Sequence, residues 1–309
     1  MKGTILKSTG SRYIVLSEKG ERVDCRVRGK LRLEGIKATN PVSVGDHVLF
    51  EMDDPRNGSI YELLPRKNYI IRKATNLSRQ AHILASNIDQ AFVIATLAYP
   101  RTSTGFIDRF LATAEAYAVP ANIVFNKMDT YTEEGLDEIE NVIALYSKIG
   151  YRCFKVSAVE GTGLDELKQA MKGKVNLFSG HSGVGKSTLI NSIQPGLELT
   201  VGDISEAHGK GTHTTTFAEM HPLSFSGFII DTPGIKEFGM VNMDKTEVSH
   251  FFPEIFEKGK ECKFSTCLHV NEPKCAVMAA VESGEIAASR YNTYLGIVMG
   301  EELEKEYDD

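Results

Sequence analysis

No apolar run in these 309 residues approaches the ~20 needed for a membrane-crossing helix. The N-terminus, MKGTILKSTGSRYIV, has neither the long apolar core nor the small-residue cleavage site of a secretory leader. Together these absences predict a cytoplasmic chain with no membrane partner; a monomer is the default. Cysteine is sparse at five residues, an odd number that does not suit a secreted disulfide scaffold. Net positive charge is also missing, since the formal charge is −6. Global charge therefore does not announce a nucleic-acid partner, but its distribution is uneven. Residues 1–40 carry ten Lys/Arg against four acids, a basic front on an acidic protein.

What is present falls into three stretches. Residues 1–68 hold five short alternating runs, at 3–7, 12–17, 22–27, 46–52 and 60–64, punctuated by glycines. This pattern predicts a small all-β barrel of the OB-fold type. Arg22, Arg26 and Arg28 sit at alternate positions and would share one strand face. That face reads equally as a nucleic-acid surface or as an edge strand guarded by charge. After the basic connector RKNYIIRKAT, buried-type strands alternate with helical patterns from about 89 to 240, which predicts a parallel α/β sheet. In such sheets ligands sit at the carboxyl ends of strands.

The motifs lie at those ends. Gly180-His181-Ser182-Gly183-Val184-Gly185-Lys186-Ser187-Thr188 contains G-x-x-x-x-G-K-S, the phosphate-binding loop of P-loop NTPases, between a strand and a helix. Its glycines let successive N–H groups face an anion, Lys186 would reach the β- and γ-phosphates, and the Ser187 hydroxyl would hold Mg²⁺. Asn126-Lys127-Met128-Asp129 follows the strand ANIVF and matches the guanine-reading N-K-x-D. Asp129 would accept two hydrogen bonds that adenine lacks, Asn126 would brace the loop or contact the base, and the Lys127 stem would cover the base. Ser157-Ala158 follows the next strand, where the Ala158 N–H could meet guanine O6. Asp231 and Gly234 form D-x-x-G, the switch that holds Mg²⁺ through water and senses the γ-phosphate.

The hydroxyl-rich segment 205–216 reads as the other switch, with Thr215, or else Thr214, completing the Mg²⁺ shell. Many GTPases place Gln just after D-x-x-G, but Ile235 stands there. His213 is the best substitute for polarising water, set against a merely structural loop role. N-K-x-D and Ser-Ala come before the phosphate loop, so the domain is circularly permuted, and D-x-x-G leads directly into the C-terminal segment. There Cys262, Cys267, His269 and Cys275 supply three thiols and an imidazole within 14 residues. This spacing predicts a closed structural zinc site, set against a disulfide with a bystander His or plain buried cysteines. Helices are expected over 277–283 and 289–306.

These motifs together resemble the RsgA family (also called YjeQ or YloQ) of small ribosomal subunit biogenesis GTPases, across essentially the whole chain. The resemblance implies an OB-fold domain at 1–68, a circularly permuted P-loop GTPase domain at 69–240 and a helical zinc-binding domain at 241–309. It implies GTP hydrolysis to GDP, slow alone and stimulated by the small (30S) ribosomal subunit. It also implies contacts to rRNA and help in releasing other assembly factors. The family's switch loop usually carries Arg or Lys before His-Thr-Thr-Thr; Thr212 occupies that place here. Two other classes fit less well. A small-molecule kinase does not need N-K-x-D with D-x-x-G, and a passive RNA-binding zinc protein does not need Lys186, Ser187 and Asp231.

Overall fold

A computed structural model describes residues 1–29, 42–72, 82–197, 218–231 and 244–300. The first five strands are β1 (Lys2–Ser8), β2 (Tyr13–Ser17), β3 (Arg22–Val27), β4 (His47–Met52) and β5 (Asn57–Leu63). They pair in the order β1-β2-β3-β5-β4, and β4 returns to β1, which closes a barrel. Period-two alternation sends Ile5, Tyr13, Val15, Val23, Phe50 and Ile60 into its core. Because β3 is paired on both sides, the edge-strand reading of its arginines does not hold. Arg22, Arg26 and Arg28 are exposed, with Arg28 on Glu51 at 3.5 Å and neighbouring Asp24 held by Arg12 at 3.0 Å.

A hairpin of β6 (Tyr69–Arg72) and β7 (His82–Ser86) follows; the alternation in the sequence did not suggest it. Then come β8 (Gln90–Ala95), α1 (Thr104–Ala116), β9 (Ala121–Phe125), α2 (Glu133–Ile149) and β10 (Arg152–Lys155). The series ends with α3 (Leu164–Met171), β11 (Val175–Ser179), α4 (Lys186–Ile193), β12 (Glu219–Pro222) and β13 (Phe228–Asp231). Strands β10-β9-β8-β11-β13 are parallel, and β12 lies antiparallel on β13, a departure from the expected all-parallel sheet. Every residue of the central β8 is buried, as a strand covered by helices on both faces requires. Two apolar layers flank the sheet. One centres on Ile107, Phe110 and Tyr146, the other on Phe178, Leu189 and Ile190. Ser103 caps α1, its Oγ accepting from the Phe106 N–H at 3.2 Å.

Strand β1 also pairs with β12, so barrel and α/β sheet form one eleven-stranded sheet. A bulge in β1 between Ile5 and Lys7 makes this geometry work. Ile5 enters the barrel core, and the next residue, Leu6, enters the α/β core.

The C-terminal unit holds α5 (Pro253–Gly259), α6 (Ala276–Glu282) and α7 (Ala288–Met299). The helix expected over 289–306 stops at Met299, where Gly300 takes the left-handed conformation (φ 73°) that ends helices. Val248, Phe252, Ile255, Val277 and Tyr294 pack with Ala112 of α1, so this core is shared with the α/β unit. At that seam Arg290 is fully buried. It donates to Asp108 of α1 at 3.0 Å and to Glu254 of α5 at 2.7 Å and 3.1 Å.

Candidate nucleotide site and metal centre

The phosphate loop leaves β11 and enters α4. Gly180 is crowded: a Cβ there would lie 2.9 Å from the Ile94 carbonyl oxygen. Gly183 (φ 86°) and Gly185 (φ 84°) sit in the left-handed region on either side of buried Val184. Alternation of this kind turns successive N–H groups to one side, which makes an anion nest at a helix N-terminus. Lys186 and Ser187 open α4, and Lys186 Nζ is ion-paired with Asp231 at the end of β13. Thr188 follows, its carbonyl accepting from Ser192 Oγ at 2.9 Å. The structure thus places the phosphate-loop lysine beside the D-x-x-G aspartate, 45 residues apart in sequence.

N-K-x-D joins the same locus through Asn126, which is 1% exposed. Its Nδ2 donates to the Val184 carbonyl at 2.9 Å, and its Oδ1 accepts from the Ala158 N–H at 3.3 Å. Asn126 therefore ties three motifs together as a brace, the first of the two roles its type allows. The Ala158 N–H, expected to face a base oxygen, is engaged with Asn126. Lys127 is left-handed (φ 63°), and its Nζ donates to the Tyr99 carbonyl at 2.6 Å. Met128 and Asp129 lie in a short 3₁₀ turn, and Ser157 Oγ donates to Asp129 Oδ1 at 2.5 Å. That contact orients the carboxylate. His213, Thr214, Thr215, Gly234 and Ile235 lie outside the described residues.

Sequence reasoning missed the loop 96–103 after β8, which forms a second wall. Pro100 abuts Gly183, and Thr102 Oγ1 is 2.7 Å from Nε2 of His181. Ser182 follows His181, and its carbonyl oxygen lies 3.1 Å from the His181 Nδ1. The available signal was positional: the loop leaves the carboxyl end of the central strand, where ligands of such sheets sit.

In the C-terminal unit, one ligand atom from each of Cys262, Cys267, His269 and Cys275 lies within 4.8 Å of all the others. Cys262 Sγ is 3.8 Å from Cys275 Sγ and 3.6 Å from His269 Nδ1, and His269 Nδ1 is 3.4 Å from Cys275 Sγ. A tetrahedron with ~2.3 Å Zn–S bonds has S···S edges of about 3.8 Å, which the edges among Cys262, His269 and Cys275 match, and Cys267 is near enough to be the fourth ligand. The cysteines are free thiols, against the disulfide alternative. Outer contacts fix the loop. Glu272 accepts from the Leu268 and Val270 N–H groups at 2.8 Å, and the Tyr291 hydroxyl donates to the His269 carbonyl at 2.6 Å. Burial pushes the Cys267 thiol up to about 12, raises Cys275 and lowers His269. The imidazole is therefore ready to ligate, while a bound cation must displace thiol protons.

A phosphate nest after β11, an Asn-braced N-K-x-D after β9 and a switch aspartate ending β13, all at the carboxyl edge of one parallel sheet, define a P-loop GTPase, here with its motifs circularly permuted. Comparison gives the family. The family model described as RsgA GTPase matches residues 63–241, and that described as RsgA N-terminal domain matches 2–60. The chain belongs to the RsgA GTPase family and is a GTP-hydrolysing enzyme. It is 55% identical over 305 residues to the small ribosomal subunit biogenesis GTPase RsgA of Flavobacterium johnsoniae, covering 98% of this chain and 94% of that protein. Its fold is similar to the crystal structure of YjeQ from Thermotoga maritima, with TM-score 0.79, 37% identity and 97% of both chains covered. It is also similar to YloQ, a circularly permuted GTPase, with TM-score 0.74, 30% identity and coverage of 97% of this chain and 94% of that one. No described helix is long and apolar enough to cross a membrane.

Proposed function

We propose that this GTPase acts on the small ribosomal subunit late in its maturation, hydrolysing GTP to GDP slowly alone and faster when docked. The observation carrying the nucleotide half is the Asn126 brace, which holds N-K-x-D, Ser157-Ala158 and the phosphate loop as one unit. Asp129, oriented by Ser157, reads the guanine N1–H and exocyclic amine. An adenine there would leave a carboxylate unpaired at a cost of ~1–3 kcal/mol. The N–H groups of 180–188 cradle the phosphates, with Lys186 on the β- and γ-oxygens. Ser187, Asp231 and a switch threonine, Thr215, would hold Mg²⁺, which when bound offsets the charge gathering on the phosphates. His213 is assigned to polarise the attacking water, and Gly234 to sense the γ-phosphate. Zn²⁺ is the proposed ion of the Cys₃His cluster, since a thiolate-rich tetrahedral set suits it.

The partner reading draws on relatives named for small-subunit biogenesis and on the exposed arginines of β3. The units 1–68, 69–240 and 241–309 would act as rRNA-binding barrel, GTP switch and zinc-supported docking domain. Hydrolysis would prompt departure of this protein and of other assembly factors. We place it in the cytoplasm as a monomer. The test is GTP turnover by purified protein with small subunits, large subunits or neither. Stimulation of at least tenfold by small subunits alone is expected. Equal rates in all three would remove the subunit as partner and leave a GTPase regulated otherwise.

A further inference from the structure

The wall formed by residues 96–103 contains a directed chain of hydrogen bonds ending on the phosphate loop. The Thr96 N–H lies 3.1 Å from Thr102 Oγ1, which lies 2.7 Å from His181 Nε2. His181 Nδ1 lies 3.1 Å from the Ser182 carbonyl oxygen. Donor and acceptor roles follow from chemistry. A carbonyl only accepts, so Nδ1 carries the proton. Burial lowers the His181 pKa, so the ring is neutral at pH 7 and Nε2 accepts. The Thr102 hydroxyl therefore accepts from Thr96 and donates to His181. The imidazole is also held edge-on to Phe106 of α1, with centroids 5.5 Å apart.

The consequence lies in one peptide plane. In a trans peptide the C=O and the following N–H point in opposite directions. Anchoring the Ser182 carbonyl on His181 therefore fixes the Gly183 N–H on the other side. Gly183 is left-handed and backed by Pro100, so the plane is located from two directions. If it flipped, a carbonyl oxygen would replace an N–H among the donors expected to meet a phosphate. The wall itself is firmly seated. The Thr102 N–H donates to the Thr96 carbonyl at 2.7 Å, and Thr96 Oγ1 donates to the Pro100 carbonyl at 2.5 Å.

We propose that His181 and Thr102 are positioning residues for the phosphate loop, acting in series to keep the Ser182–Gly183 peptide oriented for phosphate binding. Neither is required to touch the reacting atoms. The inference rests on reading 180–188 as the nucleotide loop and adds a residue, Thr102, that no phosphate-loop motif contains.

The test is titration of full-length protein with fluorescent GDP and GTP, alongside thermal melting. Thr102→Val and His181→Phe should each weaken both nucleotides about five-fold, what one net hydrogen bond is worth; His181→Phe should do so with little change in melting, whereas Thr102→Val also lowers the melting temperature because it strips the acceptor from the buried Thr96 N–H. Thr102→Ser and His181→Gln, which keep a donor and acceptor at the needed places, should restore affinity. The double variant Thr102→Val/His181→Phe should be no weaker than His181→Phe alone, because the two act in series. Wild-type GDP affinity in both single variants, or losses that multiply in the double, would overturn the proposal. His181→Phe lies on a partly exposed loop and keeps the contact with Phe106, so it decides the matter if Thr102→Val fails to fold. Wild-type nucleotide affinity in Lys186→Ala would instead overturn the underlying site reading, whatever these variants do.

Discussion

Asn126 and Asp129 divide one short motif into two jobs. Asn126 is buried and spends its side chain on the protein's own backbone, while Asp129 is steadied by a single hydroxyl, Ser157. The carboxylate should therefore carry the selectivity and the amide the architecture. Asp129→Asn places an N–H₂ donor opposite the exocyclic amine of guanine. Xanthine, which has a carbonyl there, becomes the better match. GTP selectivity over xanthosine triphosphate should fall by about 100-fold or more in a competition assay. Retained selectivity would mean that another group reads the base. Asn126→Ala should behave differently, lowering thermal stability by ~1–3 kcal/mol through the unpaired Val184 carbonyl. Such a division cannot be read from N-K-x-D as letters. It emerges only when the partner of each side chain is known.

Helix α1 links the two functional centres. Its N-terminal flank carries Thr102 and the Ser103 cap beside the phosphate loop, and its middle carries Asp108, which receives Arg290, Thr293 and the Tyr146 hydroxyl. Arg290 has two carboxylate partners and lies over the Phe252 ring at 4.6 Å. Removing the guanidinium leaves Asp108 buried without its cation. Arg290→Met should cost ~3–5 kcal/mol in chemical denaturation. Pairing it with Asp108→Asn should recover part of the loss, since the stranded charge is then gone. If the double variant is no more stable than the single, packing rather than charge governs the seam.

Helices α1 and α2 were legible because each has a long amphipathic pattern and a side-chain cap. Thr132 caps α2 and left-handed Gly150 ends it. The missed elements are short and owe their existence to neighbours. Strand β12 reads EMHP, only four residues with a terminal proline, and it forms because β1 and β13 offer ladders on both sides. Helix α5 is only seven residues long and is held by Phe252, Ile255 and the Arg290 contact of Glu254.

The continuity of the sheet sets how the whole chain should come apart. The barrel is hydrogen-bonded to the GTPase unit through β1 and β12, shares its core through Leu6, and is clasped by buried Asp46, which accepts from the Ser86 hydroxyl at 2.6 Å. The ladder also puts Lys7, Glu219 and Asp231 in one row across three strands, so the switch aspartate lies two strands from the barrel. The C-terminal unit is joined differently, by side-chain packing on α1 and not by strand pairing among the described residues. A metal held by the Cys₃His cluster would cross-link this unit's loops and add to its stability. Removing the metal should therefore melt this unit first. Calorimetry with a strong chelator should show a low-temperature transition, with helical but little β signal lost in circular dichroism. A single later transition should follow for barrel and GTPase unit together. Because α1 keeps its contacts with the sheet, GDP affinity should survive chelation within a few-fold. Separate melting of barrel and GTPase unit would show that the β1–β12 seam contributes little. A chelator-insensitive melt with no metal released would remove the metal from the folding argument altogether.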